Sequence, residues 1–283
     1  GLTLTNMSFA LALLQDQADI TEQWLSLEAT VGSAGFDGED AITLSSSNVT
    51  LEINQASASG ALVDYTDATN LSVATGPSTS ITLGMAGEVG ELLRASGDFD
   101  IDILGFVTAS GSLAFEKSTG SATTLNGATV ETVTTNQLLI GGSGLSGFIG
   151  YDNETATTDD DLGLTLTNMS FALALLQDQA DITEQWLSLE ATVGSAGFDG
   201  EDAITLSSSN VSLEINQASA SGALVDYTDA TNLSVATGPS TSITLGMAGE
   251  TGELLRASGD FDIDILGFVT ASGSLAFEKS TGS

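Results

Sequence analysis

Cysteine and histidine are both absent from the 283 residues. Their absence removes disulfide staples, thiol nucleophiles, imidazole bases and the usual zinc and haem ligands in one step. Basic residues are nearly absent too: Arg94, Lys117, Arg256 and Lys279 stand against 38 acidic residues, a formal net charge of −34. Such a field repels nucleic acid and anionic headgroups, so neither is an expected partner. Long apolar runs are lacking: "FALALL" at 9–14 is far shorter than a bilayer requires, and no membrane insertion is expected. The chain opens on glycine without a signal-peptide pattern, as a fragment of a longer protein would.

What is present is a repeat. Gly1 to Ser121 returns as Gly163 to Ser283 with two changes, Thr50 to Ser212 and Val89 to Thr251. One full period therefore runs from Gly1 to Leu162, and the sequence opens at one phase of the cycle and stops at another, the window expected of a longer periodic polymer. An active site needs one constellation, whereas duplicated passages supply length, stiffness or many weak contacts. Two polar stretches, 117–127 and 151–163, mark candidate edges. They divide the chain into a β module at 1–121, a small hairpin-rich connecting segment at 122–162 whose acidic junction is 151–162, and a second module at 163–283.

A hydrophobic content of 41% suffices for real cores, and its spacing is that of strands. Apolar residues recur at every second position, skip a four-residue gap, then resume: Leu2, Leu4, Phe9, Leu11, Leu13, and again Ile42, Leu44, Val49, Leu51, Ile53. The gaps "TNMS", "SSSN", "ASGS" and "GGSG" are turn formers. A two-residue turn in the gap pairs Leu4 with Phe9 and Leu2 with Leu11; a bulge within one long strand shifts parity equally well. Either route gives antiparallel β structure with one buried face. The only helix-like stretch, 13–24, reads equally as a hairpin loop. The expected fold class is all-β: antiparallel meander or sandwich-like modules in tandem, elongated, with β-solenoid stacking as the alternative.

In "GDFDIDILGF", 97–106, alternation sends Phe99, Ile101 and Ile103 toward a core and lines Asp98, Asp100 and Asp102 along the outer face. Neighbouring carboxylates about 6.7 Å apart repel by about 0.6 kcal/mol in water, whereas each large apolar side chain buried contributes roughly 1.5–3 kcal/mol. The ladder therefore needs no ligand. The metal-binding reading gives these three, together with Asp37, Glu39 and Asp40 in "GFDGEDA" and their repeats Asp199, Glu201 and Asp202, to Ca²⁺, a hard ion that takes oxygen ligands. No cofactor is required by the sequence, and calcium is the one these residues would accept. "GSGLSG" at 142–147 matches a dinucleotide-loop pattern but lies between strand patterns, and reads as a turn. Asn6, Asn48, Asn70 and Asn153 open N-x-Ser/Thr sequons. Trp24 and Trp186 read as packing residues, with sugar stacking as the other use.

The passages "LGFVTASGSLAFEKSTG" (104–120), "LLIGGSGLSGFIG" (138–150) and "GLTLTNMSFALALL" (1–14) resemble the repeats of very large bacterial secreted and surface proteins. That resemblance implies export to the cell surface or beyond, tandem acidic β domains and an adhesive or fibre-forming role, often with bound Ca²⁺. The β-roll calcium nonapeptide is approached at 141–149, but Ser146 stands where its ligand aspartate belongs. Expected partners are neighbouring modules or chains. The leading expectation is a structural protein, an extended extracellular filament or adhesin stalk. The alternative is a multivalent binding module for surface glycans or proteins. No enzyme is expected, since carboxylate pairs abound but nothing selects one.

Overall fold

The computed structural model describes residues 1–38, 42–66, 70–151, 162–200, 204–228 and 232–281, with 199 and 200 as backbone only. It is all-β and antiparallel, with no α-helix among the described residues. One sheet takes its main path through β1 (Leu2–Gln15), β2 (Gln23–Asp37), β3 (Ile42–Gln55), β6 (Leu92–Ile103), β7 (Val107–Asn126) and β8 (Thr129–Tyr151). It continues through β9 (Leu162–Asp178), β10 (Gln185–Gly200), β11 (Ile204–Gln217), β15 (Leu254–Ile265) and β16 (Val269–Ser280) without closing on itself. Residues 16–22, inside the only helix-like stretch, form the β1–β2 turn, where the Asp16 N–H donates to the Glu22 carbonyl. Two excursions leave the sheet: 56–91 carries β4 (Ser72–Ala74) and β5 (Ser80–Thr82), and 218–253 carries β12 (Leu224–Val225), β13 (Ser234–Ala236) and β14 (Ser242–Thr244).

The four-residue gaps are not turns. Leu4 pairs with Ala34 and Leu2 with Phe36, while Phe9 pairs with Ala29 and Leu11 with Leu27, all across β1 and β2. Each strand runs on through its gap with one residue in the left-handed region: Asn6 (φ 52°), Asn48 (54°), Gly111 (143°) and Gly144 (59°). Asn tolerates that conformation because its short amide bonds locally, whereas other L-residues lose roughly 1–2 kcal/mol there. Register breaks by one residue between Ser47/Thr50 of β3 and β6, and between Ser110/Ser112 of β7 and β8. These positions form a crease across the sheet. At Gly32, opposite Asn6, an added Cβ would lie 2.8 Å from the Asn6 Cβ, so only glycine fits. The crease flips side-chain parity within β1, β2 and β3, and so keeps Leu2 and Leu4 on the same face as Phe9 and Leu11.

Direct cross-strand partners share a face, and one rung shows what the face is made of. Phe9, Ala29, Leu51, Ala95, Phe115, Ile140, Leu173, Leu189, Ile215 and Leu255 follow one another from the first strand almost to the last. The strand carboxylates Glu28, Glu52, Asp98, Asp100, Asp102 and Glu116 all lie on the opposite face. The expectation that Phe99, Ile101 and Ile103 enter a core is corrected here. The excursions pack on the polar face, and the apolar face is open: Leu2 is 71% exposed, Phe9 55% and Ile103 37%. The two cores form where small residues let an excursion approach the sheet. Ala10, Ala12 and Leu92 pack with Tyr65, Leu83 and Met85 in one, and Ala172, Ala174, Leu176 and Leu254 with Tyr227, Leu245 and Met247 in the other.

Candidate functional site: the polar face and the junction between repeats

Asp98, Asp100 and Asp102 line the polar face of β6 as the alternation predicted. Asp98 accepts hydrogen bonds from the Ser112 hydroxyl (2.6 Å) and from Asn48 Nδ2 (2.7 Å). The Ser112 bond first, and then the Asn48 bond, hold its carboxyl below the usual carboxylate range. Asp98 thereby ties the crease residue of β3 to β7. Asp102 accepts from the Gly105 N–H at 2.7 Å and closes the β6–β7 turn. Asp37 ends β2, its carbonyl accepting from the amino terminus of Gly1. Glu39, Asp40, Glu201 and Asp202 lie outside the described residues. Asp199 is described only through its backbone, which pairs with Thr205 and Gly163. Among the described residues no group of three or more acidic side chains is arranged to hold a metal ion.

Above the crease the polar face carries two devices that the sequence reading missed. The first is a charged rung. Arg94 donates to Glu52 and Glu116, both at 2.8 Å, and Arg256 repeats this with Glu214 (2.7 Å) and Glu278 (3.1 Å). Half of the chain's cations serve these two rungs. Glu28 and Glu190 stand one strand further out, beneath the excursions. Burial first, with Glu52 and Glu214 adding repulsion, raises both carboxyls above their ordinary value, against hydrogen bonds from the Gly84 and Gly246 N–H groups that pull the other way. The second device is a buried polar chain: the Tyr65 hydroxyl donates to Ser26 (2.8 Å), Ser26 to Asn54 Oδ1 (3.0 Å), and Asn54 Nδ2 to the Val63 carbonyl (2.9 Å). Tyr227, Ser188, Asn216 and Val225 repeat it. It pins each excursion to the sheet, and burial pushes the Tyr227 phenol well above its usual range. The period-two signal for the strands was strong, but nothing local pairs Tyr65 with a serine as far upstream as Ser26.

Trp24 and Trp186 pack rather than offer a platform. Each indole N–H donates at 2.9 Å to an excursion carbonyl, Ala61 or Ala223, and Trp186 is 3% exposed. The sequon residues Asn6 and Asn48 serve as crease residues.

The junction is built by β8. It pairs with β7 along one side, from Val107↔Ile149 to Asn126↔Thr129, and with β9 of the second repeat along the other, from Thr135↔Asp178 to Tyr151↔Leu162. β8, within the connecting segment 122–162, is thus bonded to both repeats. β7 and β8 outrun their neighbours, and their tip is gripped by the second excursion. Leu224 and Val225 of β12 pair with Leu125 and Thr124, and the Asp226 N–H donates to the Thr123 carbonyl at 2.9 Å. Far from the tip, at the crease, the Ser143 hydroxyl of β8 donates to the Thr237 carbonyl at 3.2 Å. Ala122 and Leu139 enter the second core. No family model matches this chain, and neither the curated proteins nor the solved structures contain a match to it.

Proposed function

We propose that this protein is a structural repeat protein whose units join edge to edge into an extended extracellular filament or adhesin stalk. The observation that carries the reading is the passage of one antiparallel sheet through the repeat boundary, β7 to β8 to β9, with hydrogen bonds on both sides of β8. Load along the sheet is then borne by backbone ladders between strands rather than by a flexible linker. Each period contributes six strands, β1, β2, β3, β6, β7 and β8, which at about 4.8 Å per strand advance the sheet about 29 Å.

The open apolar face supports lateral self-association. Eleven strands give a face roughly 50 Å wide and 40 Å long, well above the roughly 800 Å² per partner of a stable interface. The strand carboxylates lie on the opposite side, so two sheets packed through their apolar faces keep their negative charge outward. Electron microscopy of the purified protein tests the reading. Elongated particles or filaments with an axial spacing of about 29 Å are expected from the strand separation, and compact globules without axial periodicity would overturn it.

A further inference from the structure

Identical residues are buried in one repeat and open in the other. Val225, Asp226 and Thr237 are 1%, 3% and 1% exposed, and Leu176 2%. Their equivalents in the first repeat, Val63, Asp64, Thr75 and Leu14, are half-buried or exposed. The cause is β8 and the long end of β7, which cover the β9 edge and thread beneath the second excursion. The outer edge of β1 pairs with no described strand, and Leu62 and Val63 lack the strand pairing that Leu224 and Val225 make with β7. At the other end β16 repeats β7, and Phe277 is 56% exposed where its counterpart Phe115 is half-buried beside β8.

We infer that the β1 edge, together with the underside of the first excursion, is an acceptor site for a β7–β8 hairpin of another unit of this repeat. The recognition is fixed by what the second repeat displays. A strand of the β8 sequence pairs with β1 in the register that joins Leu138 to Leu175 and Ile140 to Leu173, and so meets Leu13 and Leu11. The hairpin tip then pairs with Leu62 and Val63 as Leu125 and Thr124 pair with Leu224 and Val225. The contact is main-chain addition to an open strand edge, with specificity supplied by a tip that enters under the excursion. The hairpin segment 119–151 carries Glu131 as its only charged residue, so it approaches this acidic chain with little repulsion.

This site deepens the filament reading by naming the partner of its open end. The test adds a synthetic peptide of residues 119–151 to the full chain carrying Trp186→Phe, leaving Trp24 as the only indole. Expected are 1:1 binding, a blue shift of Trp24 emission toward that of Trp186, and slowed amide exchange along β1. A peptide with Leu125→Asp should bind at least about tenfold more weakly. Absence of binding by a monomeric peptide, equal binding by the Leu125→Asp peptide, or binding without protection of β1 would overturn the inference. Where the peptide self-associates, residues 107–162 placed ahead of Gly1 in the same polypeptide supply the hairpin. Amide exchange at 62–64 must then slow to that of 224–226, and unchanged exchange would overturn the inference. Filaments that form through the apolar faces alone would still appear in the microscope, so the two readings fail separately.

Discussion

At the scale of single residues, the crease is where the sequence is least free. Asn48 sits at φ 54° and its amide bonds Asp98; Asn210 repeats both at φ 52° with Asp260. Replacing both by alanine removes the amide bond and places an L-residue without local compensation in the left-handed region, at about 1–2 kcal/mol per site. Glycine loses the bond but keeps the conformation. The alanine pair is therefore expected to unfold at lower denaturant than the glycine pair, and equal midpoints would remove the conformational argument. Glu190 makes a second prediction, one of pH. Its carboxyl is raised above the ordinary 4.5, so it binds protons more tightly in the folded chain, and its contribution to stability falls as pH rises from 4.5 through the raised folded value. Glu190→Gln keeps an acceptor for the Gly246 N–H, bonded at 2.6 Å, and removes the charge. Its melting temperature should exceed that of the parent at pH 7 and converge with it below about pH 4. Unchanged separation across that range would show that the charge is not what burial disfavours.

At the scale of elements, strands were legible because apolar residues at period two leave little else to build, and Asp98, Asp100 and Asp102 came to lie on one face as that period requires. The gap chemistry was ambiguous, because a left-handed residue inside a strand and a two-residue turn ask for the same Asn and Gly. What separates them is the partner strand: Gly32 opposite Asn6 is the signature of a crease, and it lies on β2, beyond the reach of any local pattern around Asn6. The core was illegible for another reason. Alternation reports which face is apolar but not which face is covered, and Ala10, Ala12 and Ser26 make the polar face the one an excursion can approach closely. The hydroxyls of Tyr65 and Tyr227 hold those excursions in place. Tyr227→Phe leaves the Ser188–Asn216 pair without its third member at a cost of roughly 1–2 kcal/mol. The loss should appear as faster amide exchange in 218–253 before the sheet itself opens, and a uniform change over the whole sheet would contradict a local role for the pin.

At the scale of the whole molecule, six strands per period and a boundary crossed by β8 make the repeat an increment of sheet rather than a bead on a string. The sequence disclosed the period and two candidate edges, 117–127 and 151–163; residues 152–161 of the second lie outside the described residues. Residues 117–126 of the first run along β7 and pair with β8. Acidic charge on one face and apolar surface on the other give the sheet two unlike sides. High salt is expected to favour lateral association of the apolar faces while leaving the strand ladder unchanged, because screening weakens only the repulsion between anionic chains. The most direct test of the continuous sheet is the length of chains with two, three and four periods, measured by small-angle scattering. The account predicts a constant increase of about 29 Å per added period; increments of about 40 Å, the diameter of a separate domain of that size, with bending at each junction, would contradict it.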